Sequence, residues 1–181
     1  MADLLKYIKI SDKEVAVSGH LDSINPNLDI PAQMKHSGKV YQVTEIRENA
    51  FSGCITLQSV NLEQIKKIQT KAFAGCEQLH SVQFTDHLTY IGEHAFAWSG
   101  IKSIVFPQNL SAIGQYAFVG CEKLTLIVSF ASTPPHISNK SFDQSTYTSG
   151  TVYVQPDAIE LYEKDDNWAS CCRRPSRRSR W

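Results

Sequence analysis

The sequence predicts a solenoid: a short rod of stacked coils of about 22–23 residues, with a parallel β-sheet along one side and a cap at each end. Three observations lead there. An Ala-Phe pair recurs at 50–51, 72–73, 95–96 and 117–118, a period of 22, 23 and 22. Other apolar positions keep register with that pair. Finally, no unit of this length can enclose a core alone, so like-placed side chains in successive coils must share one interior.

The elements follow in chain order. Residues 1–39 are expected to form an N-terminal β cap, which a solenoid needs to cover its open end. Within it, YIKISDKEVAV (7–17) alternates around a polar Ser-Asp-Lys turn and reads as a hairpin. Residues 30–46, starting Ile-Pro and continuing GKVYQVTEI, read as a further strand entering the first coil.

About five coils occupy residues 40–155. Four clear copies are IRENAFSGCITLQSVNL (46–62), IQTKAFAGCEQLHSVQF (68–84), IGEHAFAWSGIKSIVF (91–106, one residue shorter) and IGQYAFVGCEKLTLIVS (113–129). A degenerate fifth, ISNKSFDQSTYTSGTVYV (137–154), keeps the spacing from Ile137 to Phe142. The columns read directly as Val43/Ile65/Leu88/Leu110, Ile46/Ile68/Ile91/Ile113, Phe51/Phe73/Phe96/Phe118, Leu57/Leu79/Ile101/Leu124 and Val60/Val82/Ile104/Ile127. The segment L-x-x-[VI]-x-[LF], as in Leu79 to Phe84, has the period-two pattern of a strand with an apolar inner face. The Ala-Phe step is expected to be a tight helical turn that drives the ring inward, with Ala small enough for the next coil to sit close. Gly53, Gly75 and Gly120 suit the exit from that turn, where positive φ costs glycine little. Strands about 4.7–4.9 Å apart, hydrogen-bonded into one sheet, would give five coils an axial length of roughly 20–25 Å.

Pro134-Pro135 marks a longer loop before the fifth copy. Residues 156–169 are expected to be a C-terminal cap. In it PDAIELYEKDDNW forms a helix with Pro156 in the first turn, and Ala158, Ile159, Leu161 and Tyr162 can cover the last coil.

At 181 residues, 42% apolar and 20% charged, the chain has the size and composition of one soluble globular domain. No apolar run approaches the roughly 20 residues of a membrane helix. The start, MADLLKYIKISDKEV, has neither a long apolar stretch nor a small-residue cleavage site, so no signal peptide is expected. Either the protein stays inside the cell or a leader has been removed. The net charge of zero hides an asymmetry: residues 1–170 carry 13 basic and 18 acidic side chains, a balance of −5, and residues 171–181, CCRRPSRRSRW, carry +5. Residues 170–181 are expected to be a basic, disordered tail. Five arginines in eight residues could engage nucleic acid or anionic lipid through charge alone, but no groove-reading motif accompanies them.

Candidate chemistry is sparse. Cys54, Cys76 and Cys121 share one repeat position, and a small, readily buried thiol suits a column site better than a metal site. Cys54 and Cys76 lie on adjacent coils, but their parallel side-chain directions disfavour a disulfide. Cys171 and Cys172 are expected to be exposed thiols in the tail. His80, His87 and His94 recur every seven residues, which on a solenoid places them on different sides of a coil rather than around a metal. No phosphate loop, nucleophile elbow or zinc-helix motif is visible, so neither catalytic residues nor cofactor ligands are expected. The best candidate surface is the outward row of the sheet. With Val82 and Phe84 inward, Gln83 faces out, as do Asn61, Val105, Val128 and Tyr153. Beside them run Ser59, Ser81, Ser103 and Leu126. One end of this face is small and polar, the other apolar and aromatic, and an exposed apolar patch marks a contact surface more often than not.

The unit I-G-x-x-A-F-x-G-C-x-x-L-x-x-I-x-F resembles the BspA-like leucine-rich repeat, and with it the treponemal leucine-rich proteins, over roughly residues 40–168. The opening hairpin and the final VYV…AIELYEKDDNW also look like that family's end pieces. The departure comes after Trp168, where the family closes on an apolar finish and this chain turns Arg-rich. The resemblance implies a right-handed leucine-rich-repeat solenoid that acts as a non-catalytic recognition scaffold. It implies a secreted or surface-displayed adhesion-type protein of host-associated bacteria or some protozoa, since some members bind host matrix proteins or other cells. The expected partner is a protein or cell-surface macromolecule held on the sheet face at Asn61, Gln83, Val105, Leu126, Val128 and Tyr153, with the chain itself a monomer. Two alternatives stand beside it: a structural spacer in a larger surface protein, and a tail-mediated binder of nucleic acid or an anionic surface.

Overall fold

The computed structural model, which describes residues 5–21 and 24–171, begins with an antiparallel hairpin of β1 (Leu5–Lys9) and β2 (Glu14–His20). A short β3 (Asn27–Asp29) follows, then a second hairpin of β4 (Gln33–His36) and β5 (Lys39–Ile46). From there each coil contributes one four-residue strand and one two-residue strand: β6 (Ser59–Leu62) and β7 (Lys67–Ile68), β8 (Ser81–Phe84) and β9 (Tyr90–Ile91), β10 (Ser103–Phe106) and β11 (Ala112–Ile113). The chain ends through β12 (Leu126–Ser129), α1 (Gln144–Ser149), β13 (Thr151–Val154), α2 (Ile159–Lys164) and α3 (Asp166–Cys171).

Like strands stack in parallel at a constant register. Ile46, Ile68, Ile91 and Ile113 pair in succession along β5-β7-β9-β11, and β1, β2 and β4 extend this into a seven-stranded sheet. The predicted columns form one contiguous core, most of it under 3% exposed. At its centre the phenyl rings stack nearly parallel: Phe51–Phe73 at 5.2 Å, Phe73–Phe96 at 5.2 Å, Phe96–Phe118 at 5.4 Å and Phe118–Phe142 at 5.5 Å. These separations lie in the range that favours ring pairs. The fifth copy therefore joins the ladder. His20 from β2 closes it at one end, stacked 5.8 Å from Phe51, and Trp168 from α3 at the other, 5.8 Å from Phe142.

The Ala-Phe segments are hydrogen-bonded turns rather than α-helices. Their amides reach the next coil, as in Phe51 N–H to Ala72 O and Phe73 N–H to Ala95 O, both 2.8 Å. A helix would have turned those donors inward on its own chain; here they form a ladder that holds the coils at one spacing. Gly53, Gly75 and Gly120 have φ of 74°, 72° and 72°, as expected at the turn exit. Gly92 and Gly114 serve a different purpose. A Cβ at either would fall 2.6–2.7 Å from backbone of the preceding coil, so close approach alone demands glycine.

Three expectations are corrected. The front strands do not form one sheet: β3-β6-β8 and β10-β12-β13 are two separate three-stranded parallel sheets, and among the described residues no ladder joins β8 to β10. The break falls where the third coil is one residue short. There Gly100 sits so close to the coil below that a Cβ would lie 2.4 Å from Glu77 O. β10 lies beside β8 without pairing to it, and Val82 and Phe84, expected to be fully inward, are half-buried. The C-terminal helix is also divided, at Asp165, into α2 and α3. Ala158 and Tyr162 are buried, but Leu161 faces solvent and Ile159 is only half-covered. Cys171, expected to be an exposed tail thiol, is buried in α3, so the folded cap runs at least to that residue. Cys172 and the arginines at 173–180 lie outside the described residues.

Candidate recognition surface

The two front sheets define the surface by strand alternation. On the first, inward Leu28, Val60 and Leu62 leave Asp29, Asn61 and Gln83 in one outward row, and Asn27, Ser59 and Ser81 in the next. On the second, inward Ile104, Ile127 and Val152 leave Val105, Val128 and Tyr153 in register, with Ser103, Leu126 and Thr151 beside them. Gln83 and Val105 are exposed; Asn61, Leu126, Val128 and Tyr153 are half-buried. All six predicted residues thus lie on front strands, but the sheet break divides them into a polar set of two and an apolar set of four.

Neighbouring residues enlarge both sets. Asn27 and Asp29, on a three-residue strand of the N-terminal cap, extend the polar half by one strand. Their signal in the sequence is slight, an Asn-Leu-Asp-Ile alternation with no Phe turn before it. Phe130 extends the apolar half: two residues beyond Val128, it is 49% exposed, matching Val105. On the polar side Asn27, Asp29, Ser59, Asn61, Ser81 and Gln83 rim a hollow of about 110 Å³. The Ser59 hydroxyl donates to Asn27 Oδ1 at 2.7 Å, which fixes two of these groups. Sites that enclose a small molecule usually measure about 300–1,000 Å³, so this hollow suits contact with a surface better than capture of a substrate.

The cysteines are column residues. Cys76 and Cys121 are fully buried, and each thiol donates to a phenylalanine carbonyl of the coil below, Phe51 O and Phe96 O, both at 3.1 Å. Burial pushes the Cys76 thiol up to about 12, with the neighbouring Cys54 adding to the shift. Cys54 is half-buried, with its sulfur 3.1 Å from His20 Nε2, and desolvation raises its pKa also. In the third coil Ser99 takes the cysteine's place and bonds Cys121 Sγ at 3.2 Å. None of these thiols is poised as a nucleophile, because a reactive cysteine needs a lowered pKa.

The three histidines have separate surroundings. His80 Nδ1 lies 3.0 Å from Gln78 O, His87 Nδ1 3.2 Å from Thr85 Oγ1, and His94 packs between Trp98 and Tyr116. Among the described residues no three His, Cys, Asp or Glu side chains converge as a metal-binding group would.

Stacked coils, a shared phenylalanine column and parallel front strands define a repeat protein of the leucine-rich type. A family model of the BspA type leucine-rich repeat region matches residues 40–160 with six copies, and the chain belongs to that family. The leucine-rich repeat protein of Treponema pallidum is similar at 25% identity and a TM-score of 0.62, over 86% of this chain and 64% of its own. A leucine-rich repeat protein from Bacteroides capillosus shares the fold at 21% identity and a TM-score of 0.61, covering 86% of this chain and 96% of its own. The pneumococcal vaccine antigen PcpA shares it at 21% identity and 0.59, over 85% of this chain and 48% of its own. This chain therefore spans just under two thirds of the treponemal protein and about half of PcpA. Among curated proteins, none matches it. Repeat proteins of this family generally serve as scaffolds for protein–protein contact, and no helix among the described residues is long and apolar enough to cross a membrane.

Proposed function

We propose that this protein is a non-catalytic recognition module of a secreted or surface-displayed, adhesion-type protein, and that it binds a macromolecular partner across both front sheets. The observation that carries this reading is the pair of outward rows on the two front sheets, polar Asp29, Asn61 and Gln83 on one and apolar Val105, Val128 and Tyr153 on the other. Stable interfaces combine an apolar centre with a polar rim. Here Val105, Val128 and Tyr153 supply the apolar part, and Asn61 and Gln83 a polar border on one side of it. An extended sheet face is also the surface that solenoids commonly offer to partners.

The test is a pull-down from host extracellular proteins, followed by the double variant Gln83→Arg with Val128→Arg. Both side chains point away from the core, so the circular dichroism spectrum is expected to stay unchanged while retention of the partner falls. Full retention by the double variant would place the contact elsewhere. A wild-type chain that retains nothing would favour the spacer role.

A further inference from the structure

Trp98 occupies the repeat position at which three sister coils carry glycine, and it takes the glycine conformation. Its φ is 55°, beside 74°, 72° and 72° at Gly53, Gly75 and Gly120. The position two residues before Phe is left-handed in the four clear coils, with residues as varied as Asn49 and Tyr116, but at the turn exit Trp98 alone among the four departs from glycine. A bulky side chain at positive φ is an outlier, and such outliers cluster where function requires them.

The side chain is not hidden in compensation. Trp98 is 54% exposed, with the pyrrole part of its indole packed against Gly120, where a Cβ would fall 2.3 Å from Cδ1. It stacks on His94 at 6.2 Å and 25°, and His94 lies 5.0 Å from Tyr116. Lys140 Nζ sits 5.8 Å above the Tyr116 ring. Rings from two adjacent coils, bounded by a lysine from the next, thus form a supported wall on the Ala-Phe turns rather than on the front sheets.

The rim selects the ligand. Lys140 over the Tyr116 ring and the Glu93 carboxylate, 3.4 Å from His94 Nδ1, put one charge of each sign on the rim, so a cation and an anion each meet a like charge as well as an opposite one and neither is favoured. Exposed Gln115 adds a neutral donor and acceptor. A neutral ring with one apolar face and a hydroxylated edge meets all three conditions, because its C–H face stacks on indole and its hydroxyls both donate and accept. We propose that the exposed indole of Trp98, backed by His94 and Tyr116, forms a stacking platform for a pyranose ring of a glycan.

The experiment uses the full chain and three neutral probes, methyl β-galactoside, methyl α-mannoside and N-acetylglucosamine, at millimolar concentration. Saturation-transfer NMR is expected to mark the ring protons of at least one of them. Trp98→Gly restores the residue used by the sister coils, so it should abolish the signal while the melting temperature holds or rises. Tyr116→Asn, which places the residue of Asn49 at its own repeat position, should weaken the signal in a folded chain. The front-face variant Gln83→Arg with Val128→Arg should keep it. Absence of signal from all three probes with the unmodified chain, or an undiminished signal in Trp98→Gly, would overturn the proposal.

Discussion

At the scale of single residues the column positions behave as chemically sealed sites, and Cys76 makes this measurable. Its thiol is fully enclosed and bonded to Phe51 O, and burial raises it from an ordinary 9.0 to about 12. A group whose folded pKa lies above its unfolded one contributes stability that is complete below the unfolded value and is lost as pH rises through the folded one. The melting temperature is therefore expected to fall between 9.0 and about 12, and to fall less in Cys76→Ser, which carries the residue that the third coil uses at Ser99. Thiol labelling at about pH 8, where only an accessible thiolate reacts, should modify half-buried Cys54 before Cys76 and Cys121. Equal rates for Cys54 and Cys76 would mean that the column is open. The buried character of Cys76 and Cys121 was legible because they repeat in register with the phenylalanines. The Cys54 contact with His20 was not, since it joins a coil to a cap strand 34 residues earlier and no local spacing encodes it.

At the scale of the coil, the phenylalanine ladder carries the fold and the third coil carries its irregularity. Phe96 has rings on both faces, at 5.2 and 5.4 Å, and is fully buried. Phe96→Ala would leave a cavity that neither neighbour can close without parting from its own partner, and is expected to cost about 3–5 kcal/mol in a urea melt. An unchanged midpoint would show that the stack is not the core. The ladder could be read from the sequence since its period is fixed and each ring has the same neighbours. The missing residue between Ser99 and Ile101 could be read too, as a shortened copy. Its consequence could not: the loss of pairing between β8 and β10 and the close approach of Gly100 to the Glu77 carbonyl are both relations between coils, which no local spacing encodes. The same break separates the polar from the apolar half of the candidate face. Six of its residues were foreseen by alternation, whereas Asn27 and Asp29 were not, because β3 precedes the first Ala-Phe pair and has no repeat to be aligned with.

At the scale of the whole molecule, a stack in which each coil touches only its neighbours depends on its ends. The C-terminal cap is anchored by aromatic groups: Trp168 Nε1–H donates to Pro135 O at 2.7 Å, its ring meets Phe142 and Tyr162, and Tyr162 Oη lies 2.7 Å from Ser129 Oγ. Trp168→Ala removes the last ring of the ladder and strips the buried Pro135 carbonyl of a donor, so the loss should reach about 3–5 kcal/mol. In a stack coupled through nearest neighbours this loss is felt first where it is made. Hydrogen exchange in Trp168→Ala is therefore expected to accelerate most at the amides of Phe118, Phe130 and Thr151, which tie the last coils together, and least at Phe51 and Gln69. A gradient from the C-terminal end would mean that the coils open one after another, so that the front face loses its apolar half before its polar half. Equal acceleration at all five amides would mean that the ladder from His20 to Trp168 opens as a single unit, and that neither half of the face can be lost without the other.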